Sequence, residues 1–440
     1  MQLQIEKLVY GGDGLARLPA DEHGRGKTVL LPFVISGETV EASLAQGRPG
    51  FVRATLQQVL QPSPDRVEPD CPYFGRCGGC QYQHINYPAQ LRYKSEILRE
   101  TLRRTAKLDL QSEIQVHSAE PWHYRNRTRM HVQHTPGFQL GYHHYGSHQL
   151  LAVEQCPISS PLINQAIGAV WALGGDGKLP QSVHGIQFFA NQEDQQMLVE
   201  LYVRPGGDAK ECEPFAAELH QRLPAIGGVV VFAGSPVEDN SRQFAPLSSV
   251  HPEPGQAIGD IFLQYRVGDR EFRVSAGSFF QTNRFLIDEL VRATIPQQTG
   301  RAALDLYAGG GLFSLALAAR FDQVLAVEAS PHAFADLRHN AASNVKPIRE
   351  STEIFLAERG PKLAPDLVLV DPPRAGLGEK TARALGRMSV PRVTYVSCDP
   401  ATLARDLRVL LESGFKVAEA HLVDLFPQTA HMETVLHLAR

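Results

Sequence analysis

Cys398 and Glu433 are two residues near the carboxyl terminus whose types allow nucleophilic and acid–base chemistry. Cys398 follows the apolar, β-branched run Val-Thr-Tyr-Val and stands in a Ser-Cys-Asp-Pro turn. This pattern predicts a buried parallel strand, a turn, and a helix over residues 401–412. Ligands bind at the carboxyl ends of strands in open α/β sheets, and a helix amino terminus favours a thiolate over a thiol. The alternative is a buried, unreactive thiol, the commonest state of a cysteine outside disulfides.

A glycine-rich turn precedes a predicted helix in the sequence Asp305-Leu-Tyr-Ala-Gly-Gly-Gly. The glycines let a cofactor lie against the backbone where the helix starts. The dinucleotide-binding pattern G-x-G-x-x-G fails, because Ser314 occupies the third glycine position. Glu328 ends the next predicted strand, where its carboxylate is placed to accept hydrogen bonds from ribose hydroxyls. These features fit S-adenosylmethionine and a nucleotide equally, and a turn required only for packing is the alternative.

Two further motifs stand at predicted strand boundaries. Asp371-Pro-Pro-Arg374 ends one strand, and its prolines restrict where Asp371 and Arg374 point. Glu433, in His-Met-Glu-Thr, begins the final strand near the same edge of the sheet. The sequence therefore predicts that a thiol, a carboxylate and a cofactor loop converge at this edge.

The last third of the chain alternates strand-like apolar runs with helical segments, which predicts a doubly wound parallel sheet. The runs are 302–306, 323–328, 366–371 and 392–397. Two strands, 416–425 and 433–438, close the pattern with no helix between them. Such a closing pair is more typical of methyltransferases than of dehydrogenases. The fold class is therefore α/β, with a Rossmann-like domain over residues 266–440.

The chain before this domain divides into two predicted parts. Residues 1–62 contain short strand-like runs between turn residues, which predicts a small β-barrel. A proline-rich linker follows over 61–69, and residues 71–265 predict a central mixed α/β domain. The basic and aromatic residues of the barrel either bind nucleic acid or form a solvated surface. They are Lys7, Tyr10, Arg17, Arg25, Lys27, Arg48, Phe51 and Arg53.

Cys71, Cys77 and Cys80 are crowded together, and the glycines beside them let the backbone turn around a metal centre. A fourth ligand is needed, and Cys156 is the best candidate. Thiolates suit zinc or an iron–sulfur cluster, and one Cys-x-x-Cys pair with two outlying cysteines favours the cluster. A disulfide framework is not expected in a long chain that lacks a secretory signal. Cys212, beside acidic residues, is interpreted as a bystander.

Arg125, Arg127 and Arg129 recur with period two on one face of a predicted strand. Three neighbouring guanidiniums repel one another unless an anion faces them. RNA phosphate is the favoured interpretation, and a solvated surface is the alternative. Residues 90–105 have helical periodicity with a basic face, which contacts either phosphate or solvent.

The composition is that of an ordinary globular protein. The 440 residues are 43% hydrophobic, and the net charge of −4 means that any nucleic-acid contact comes from local patches. No apolar run approaches the length of about 18 residues that predicts a membrane span. The start of the sequence lacks a secretory signal. We therefore expect a cytoplasmic protein with no membrane contact.

The motifs around Asp305, Asp371, Cys398 and Glu433, in this order, resemble those of the RNA uracil-5 methyltransferase family. The cysteine set and the amino-terminal barrel are similar to the branch that modifies 23S ribosomal RNA, with an OB-like TRAM domain and a [4Fe–4S] cluster. The resemblance spans nearly the whole chain. It implies S-adenosyl-L-methionine as cofactor, 23S ribosomal RNA as partner, and a monomer.

The resemblance also implies roles for individual residues. Cys398 is the nucleophile and Glu433 the base. The metal ligands are the four cysteines at 71, 77, 80 and 156. The pocket for cofactor and target is lined by Gln281, Tyr307, Glu328 and Asp371. Two more cofactor contacts fall at Leu312 and Ser351, where the chain departs from the Asn, and the Asn or Asp, that the family often has. The helix near residues 90–110 can pack on the catalytic domain in this family.

Other functions remain open at this point. The same covalent chemistry would methylate transfer RNA or carbon 5 of cytosine. A protein of another class, a non-catalytic iron–sulfur RNA-binding protein with an inactive methyltransferase fold, would keep the cysteines without needing Cys398 and Glu433. The presence of both residues favours the enzyme.

Overall fold

A computed structural model describes residues 1–19, 26–45, 50–233 and 254–440. The chain forms two units. The first contains Met1–Glu100 and Phe426–His431, and the second contains Thr101–Leu425 and Met432–Arg440. The division into domains 1–62, 71–265 and 266–440 stays a prediction. Arg25 and Arg48 of the predicted barrel surface lie outside the described residues.

The first unit begins with a curled sheet. Its strands are β1 (Gln2–Gln4), β2 (Lys7–Leu8), β3 (Asp13–Arg17), β4 (Thr28–Pro32), β5 (Thr39–Leu44) and β6 (Phe51–Gln61). Their order is β1-β5-β6-β4-β3-β2, so both edges of the sheet belong to one short stretch of chain. The sheet therefore curls around an aliphatic core that includes Leu3, Val29, Leu31 and Val40. The predicted barrel-like fold is confirmed.

The proline-rich segment after β6 is not a free linker. Its Arg66 donates to the buried carboxylate of Glu38 through Nε (2.6 Å) and Nη2 (2.7 Å). Asn86 donates to the backbone of Asp65 (3.2 Å). Helix α1 (Tyr87–Thr101) follows. The expectation of a phosphate-binding or solvated basic face is wrong at Lys94, which is fully buried and donates to the Phe426 carbonyl (3.0 Å).

A mixed sheet forms the first half of the second unit. Strand β7 (Ile114–His117) comes first in this part of the chain but joins a different sheet. The strands of the mixed sheet are β8 (Arg127–Gln133), β9 (Gln139–His143), β10 (Leu150–Ala152), β11 (Val183–Ala190), β12 (Met197–Val203), β13 (Ile226–Ala233) and β14 (Pro254–Gly259). The sheet order is β10-β9-β8-β11-β12-β13-β14. Helices α2 (Pro161–Gly175) and α3 (Glu213–Arg222) pack on it, and the hairpin of β15 (Phe262–Val267) and β16 (Arg270–Ser275) follows.

The second half of this unit alternates strands and helices. The strands are β17 (Gly300–Leu306), β18 (Phe321–Glu328), β19 (Val345–Arg349), β20 (Leu367–Val370), β21 (Arg392–Ser397), β22 (Lys416–Val423) and β23 (Glu433–Ala439). The helices are α4 (Ile287–Thr294), α5 (Leu312–Ala318), α6 (Pro331–Asn340), α7 (Thr352–Glu358), α8 (Gly378–Gly386) and α9 (Pro400–Glu412). The helix predicted after Cys398 is therefore confirmed as α9.

The order of this second sheet is β19-β18-β17-β20-β21-β23-β22-β7. The first five strands are mutually parallel, and β23 runs antiparallel to both of its neighbours. This is the predicted doubly wound Rossmann-like sheet with its closing strand pair. Strand β7, which was not predicted, adds a parallel edge strand beside β22. Among the described helices, none is long and apolar enough to cross a membrane.

Candidate active site

Strand direction brings the predicted site residues to one edge of the eight-stranded sheet. Tyr307, Asp371 and Cys398 each follow the carboxyl end of a parallel strand, and Glu328 is the last residue of another. Glu433 lies at the same edge because its strand, β23, runs in the opposite direction and begins there. Ligands bind at this edge in open α/β sheets.

Cys398 and Glu433 lie just beyond the last residue pair of one antiparallel ladder. Ser397, the last residue of β21, pairs with Thr434 of β23. The next residues outward are Cys398 on one strand and Glu433 on the other, which also pairs with Val423 of β22. Side chains that oppose each other in such a ladder interact directly. The geometry therefore brings sulfur and carboxylate into one site.

The expectation that the helix start favours a thiolate at Cys398 is wrong for this structure. Asp399 is the amino-terminal cap of α9, where its carboxylate accepts from the amides of Ala401 and Thr402 (2.9 Å each). Burial, followed by the charge of Glu433, raises the pKa of the Cys398 thiol to about 12. Removal of the charged form from water outweighs the weaker effect of the helix terminus.

Arg374 supplies the opposing positive charge. Burial, and then the charge of Asp371, raises the pKa of Glu433 well above its usual range, while Arg374 acts to lower it. The same guanidinium acts to lower the pKa of Cys398. Sequence reasoning named Arg374 only as a residue held by the two prolines. The sequence feature that could have identified Arg374 as a site residue is its place in the Asp-Pro-Pro-Arg motif, beside the end of a predicted strand.

The glycine turn after β17 is held by Glu328. The Glu328 carboxylate accepts from the amide of Gly309 (2.9 Å) and from that of Ser330 (2.6 Å). Tyr307 and Gly311 flank the turn with positive φ of 62° and 95°, so the chain bends sharply before α5. Glu328 thus shapes the turn, and a ribose contact by its remaining lone pairs stays a prediction.

Ser314 has a specific partner where the dinucleotide-binding pattern has glycine. Its hydroxyl donates to the carboxylate of Asp305, and both side chains are fully buried. Burial, with a contribution from Glu328, raises the pKa of Asp305 to about 7. Burial and the charge of Asp305 also raise the pKa of Asp371 to about 7. The cofactor edge therefore contains two buried acidic groups whose pKa values lie well above the ordinary range of aspartate.

Gln281 lies buried in the loop after β16, residues 277–283, which we call the Gln281 loop. Ser278 donates to Asp336 of α6 (2.6 Å), beside the glycine turn. At the other end, Asn283 donates to the Leu425 carbonyl (3.1 Å), just after β22. The loop thus runs between the cofactor side and the Glu433 side of the sheet. Phe279, which sequence reasoning did not single out, is 61% exposed there and is the kind of side chain on which a nucleobase stacks.

The two positions that depart from the family pattern have structural roles. Leu312 begins α5 and is buried in the core. Ser351 caps α7, because its hydroxyl accepts from the Ile354 amide (3.3 Å). It follows β19, so it too stands at the carboxyl edge of the sheet. Their contacts with a cofactor stay predictions.

The four candidate metal ligands are divided between the two units. Cys71, Cys77 and Cys80 belong to the first unit, and Cys156 belongs to the second. The Gly79 amide donates to the Cys77 sulfur (3.4 Å). In the part of the chain that the structure describes, no group of three or more His, Cys, Asp or Glu side chains is arranged to hold a metal ion.

The interpretation of the three arginines as a phosphate-binding row is wrong at Arg127. Arg127 is buried, forms an ion pair with Glu200 (3.0 Å) and donates to the Ser278 carbonyl. Glu200 also accepts from the amide of Gly277 (3.1 Å). The guanidinium of Arg129 stacks on the Tyr202 ring at 3.9 Å. The anion that faces Arg127 is therefore a carboxylate of the protein, and the pair anchors the Gln281 loop.

Arg127→Met is expected to lower the free energy of unfolding by about 3 kcal/mol, because it leaves Glu200 buried without its cation. Denaturant titration measures this loss. Adding Glu200→Gln should restore part of it, since both charges are then absent. A phosphate-binding Arg127 would behave differently: stability would be unchanged, and the salt dependence of RNA binding would fall by about one counterion.

The fold and this edge define a Rossmann-like methyltransferase. A family model described as tRNA (Uracil-5-)-methyltransferase matches residues 260–440. A 23S rRNA (uracil(1939)-C(5))-methyltransferase RlmD from Chromohalobacter salexigens is 33% identical over 446 residues, which cover 100% of this chain and 89% of that protein. The RlmD of Shewanella amazonensis is 31% identical over 447 residues, covering 98% and 94%.

Among solved structures, the Pyrococcus abyssi tRNA (uracil-54, C5)-methyltransferase in complex with S-adenosyl-L-homocysteine matches with a TM-score of 0.75. The match covers 100% of both chains at 22% identity, which supports the fold. The chain belongs to the RNA uracil-5 methyltransferase family. It is an S-adenosylmethionine-dependent enzyme that methylates carbon 5 of uracil in RNA.

Proposed function

We propose that this enzyme methylates a uridine of 23S ribosomal RNA through a covalent bond between Cys398 and carbon 6 of the uracil. The observation that supports the covalent route is that Cys398 and Glu433 both lie just beyond the last residue pair of one ladder, Ser397 with Thr434, at the carboxyl edge of the parallel strands. The names of the two RlmD relatives support ribosomal RNA as substrate. We also propose that the enzyme acts as a monomer, which light scattering tests.

The residue types follow from the chemistry of uracil. Carbon 5 is a poor nucleophile until sulfur adds to carbon 6. Cys398 gives its thiol proton to water. As its sulfur bonds to carbon 6, the electron pair of the 5,6 double bond moves toward the oxygen at carbon 4 and forms an enolate. Carbon 5 of the enolate then attacks the methyl group of the sulfonium cofactor, which leaves as S-adenosylhomocysteine. Glu433 takes the proton from carbon 5, the sulfur–carbon bond breaks, and the double bond re-forms.

The target base must leave its stack to reach this site. Enzymes that act on a base atom take the nucleotide out of the helix, and RNA loops permit this most easily. The ring of Phe279 is exposed on the loop that carries Gln281, and we propose that a base of the RNA stacks on it. Gln281 is proposed to contact the extruded base or the cofactor from the same loop.

Mapping of methylated uridines in ribosomal RNA tests the substrate. Cells that lack the protein should lose 5-methyluridine at one or more positions of 23S RNA, and the purified enzyme should restore it. Methylation of transfer RNA alone would overturn the substrate proposal. Mass analysis of the product base separates uracil from cytosine methylation, and absence of any methyl transfer would favour the non-catalytic alternative.

Cofactor affinity is expected to fall as the pH is lowered from 8 to 6, by at most about tenfold per unit for each proton taken up. Burial raises the pKa values of Asp305 and Asp371 to about 7, so each carboxylate is ionised only above that pH. The sulfonium is a cation and is held more tightly by ionised carboxylates. Calorimetry with S-adenosylmethionine and S-adenosylhomocysteine checks this, because the neutral sulfur of the product should show a weaker pH dependence. Equal pH dependence of the two ligands would contradict it.

We further propose that Cys71, Cys77, Cys80 and Cys156 bind a [4Fe–4S] cluster, with zinc as the alternative. Three thiols in one short segment and an amide donating to the Cys77 sulfur (3.4 Å) match the donor chemistry of a cluster. When bound, such a centre supplies folding free energy.

Anaerobically purified protein is expected to be brown and to contain about four iron and four sulfide per chain. Iron and sulfide analysis with visible absorption measures this. Cys77→Ser should lose the colour, while Cys212→Ser, a change at a cysteine outside the set, should keep it. A colourless protein with one zinc would show that the alternative is right.

A further inference from the structure

Helix α9 holds the loop after β20, residues 371–377, which we call the Arg374 loop. Thr402 donates through its hydroxyl to the Arg374 carbonyl (3.0 Å). Arg405 donates to the Ala375 carbonyl (2.7 Å). The carboxylate of Asp406 accepts from the Leu377 amide (2.6 Å). Side chains from one helix thus bind the backbone of the loop at residues 374, 375 and 377.

Asp406 also connects this loop to the strand that carries the thiol. Its side chain is fully buried, and it accepts from the hydroxyl of Tyr395 (2.8 Å) on β21, three residues before Cys398. Gly376 has a φ of 73°, and a Cβ there would lie 2.4 Å from the Asp406 carboxylate. The backbone of the loop therefore approaches Asp406 as closely as it can. One carboxylate fixes the distance between β21 and the Arg374 loop.

The Arg374 loop carries the positive charge of the site. The charged groups that face Cys398 are Glu433 from β23, Arg374 and Asp371 from the loop, and Asp399 from the start of α9. Three of the four are acidic, and each of them disfavours the thiolate. Arg374 alone in this set favours it, so movement of its guanidinium away from the sulfur would raise the pKa of Cys398 further.

We propose that Asp406 is a positioning residue of this enzyme: by tying the Arg374 loop to β21, it holds the Arg374 guanidinium beside Cys398 and Glu433. The inference rests on the proposed role of Cys398 as nucleophile. Asp406 acts through Arg374 and not by contact with the RNA or the cofactor. Its loss therefore lets the cation move away from a sulfur that is otherwise surrounded by carboxylates.

The test is the reactivity of Cys398 in Asp406→Asn, measured on the full-length protein by mass spectrometry of the Cys398 peptide. Two reagents are compared, neutral iodoacetamide and anionic iodoacetate. We expect the iodoacetamide rate at pH 9 to fall about tenfold, which corresponds to a rise of about one unit in the thiol pKa. The ratio of the iodoacetate rate to the iodoacetamide rate should fall too, because the cation that attracts the anion has moved.

The sign of the change separates positioning from simple charge removal. Asp406→Asn deletes a negative charge, and that alone would favour the thiolate and raise the iodoacetate ratio. Movement of Arg374 away from the sulfur would instead slow the iodoacetamide reaction and lower the ratio of the iodoacetate rate to the iodoacetamide rate. The proposal is overturned if Asp406→Asn reacts faster with iodoacetamide or shows a higher ratio of the iodoacetate rate to the iodoacetamide rate. It is also overturned if both quantities are unchanged. Arg374→Met serves as the positive control and should change both quantities in the expected direction.

Two further variants distinguish a specific effect on Cys398 from a general loss of stability. Asp366 precedes β20 at the opposite end of that strand and accepts from the amides of Arg301 (2.7 Å) and Ala302 (3.0 Å). Asp366→Asn removes a similar carboxylate–backbone contact and should leave Cys398 reactivity unchanged. Thr402→Val keeps the side-chain shape and removes the hydroxyl, which donates to the Arg374 carbonyl (3.0 Å) and more weakly to the Asp399 carbonyl (3.2 Å). If Asp406→Asn does not fold, a slower reaction of Cys398 in Thr402→Val supports the proposal that α9 positions the Arg374 loop, and an unchanged reaction rate overturns it.

Catalysis gives an independent readout of the same residue. In Asp406→Asn, kcat should fall with little change in the KM for RNA, and the rising limb of its pH profile should move to higher pH. A purely structural role would lower the amount of active enzyme without moving the profile. Failure of the proposed function is recognised separately, because Cys398→Ala would then retain methyl transfer. The alkylation rate of Cys398 in Asp406→Asn would still show whether Asp406 positions the Arg374 loop.

Discussion

Replacing Cys398 by alanine is expected to lower the rate of methyl transfer by on the order of 10⁴-fold or more, as removal of a covalent nucleophile does in other enzymes. Without sulfur at carbon 6, carbon 5 of uracil is not converted to an enolate and cannot attack the sulfonium methyl. Transfer of a labelled methyl group from the cofactor to RNA measures the loss.

Binding should survive this substitution. Cys398 is half-buried, and exchange of its sulfur for hydrogen removes little packing, so the fold is expected to lose about 1 kcal/mol or less. The dissociation constants for the cofactor and for RNA should change by less than about threefold. A large loss of either affinity would mean that the thiol has a structural role.

Cys212 provides a matched control. It is a buried cysteine of the same unit, and burial raises the pKa of its thiol to about 11. Its neighbours Glu211 and Asp208 also disfavour the thiolate, but no ladder places it beside the carboxyl edge of the parallel sheet. Cys212→Ala should keep normal turnover. Full activity in Cys398→Ala would refute the covalent route.

The sequence predicted the convergence at the sheet edge because that information is local. The strand before Cys398, the strand before Asp371 and the strand that begins with Glu433 each end or begin at a recognisable motif. Parallel strands separated by helices must bring their carboxyl ends to one edge. The relative positions of these residues therefore follow from strand order alone.

Interactions across long sequence separations were not predictable in this way. Arg127 and Glu200 lie 73 residues apart, and the pattern of three arginines contains nothing about the acidic partner. Lys94 belongs to a basic helical face in the sequence, yet its amine is bound by a carbonyl 332 residues away. A short period-two or helical charge pattern shows which side chains share a face, but not what covers that face.

The pKa of Cys398 could not be predicted for a related reason. The helix-start effect that favours a thiolate is visible in the Cys-Asp-Pro sequence, but burial depends on how β21, β23 and the Arg374 loop pack. The hydrogen bonds of Asp406 could not be predicted either, because its partners come from a strand, a loop and a helix. Burial and the partners of a buried charge depend on how the elements pack, and a local sequence pattern does not contain that information.

Glu433→Gln is expected to trap the enzyme on its RNA. After methyl transfer, the bond between sulfur and carbon 6 breaks only when the proton on carbon 5 is removed, and an amide cannot accept that proton. Turnover should fall by about 10²- to 10⁴-fold, and a protein–RNA species should accumulate to nearly one per enzyme. Denaturing gel electrophoresis with labelled RNA detects it as a slowly migrating band.

The substitution should leave the fold intact. Burial, together with the charge of Asp371, raises the pKa of Glu433 well above its usual range. Glutamine has nearly the same shape as glutamate and fills the same space, so the free energy of unfolding should change by less than about 1 kcal/mol. The raised pKa also makes the ionised carboxylate a stronger base, and the sulfonium cation of the cofactor favours that ionised form.

Three controls identify the trapped species as the intermediate. A methyl label carried by the cofactor should migrate with the band, and S-adenosylhomocysteine in its place should give no band, because addition without methylation is reversible. Cys398→Ala combined with Glu433→Gln should abolish the band, since no sulfur–carbon bond forms. Glu419→Gln, at an exposed carboxylate of the adjacent β22, should turn over normally. If Glu433→Gln gives no band while its turnover is lost, another group removes the proton and Glu433 is not the base.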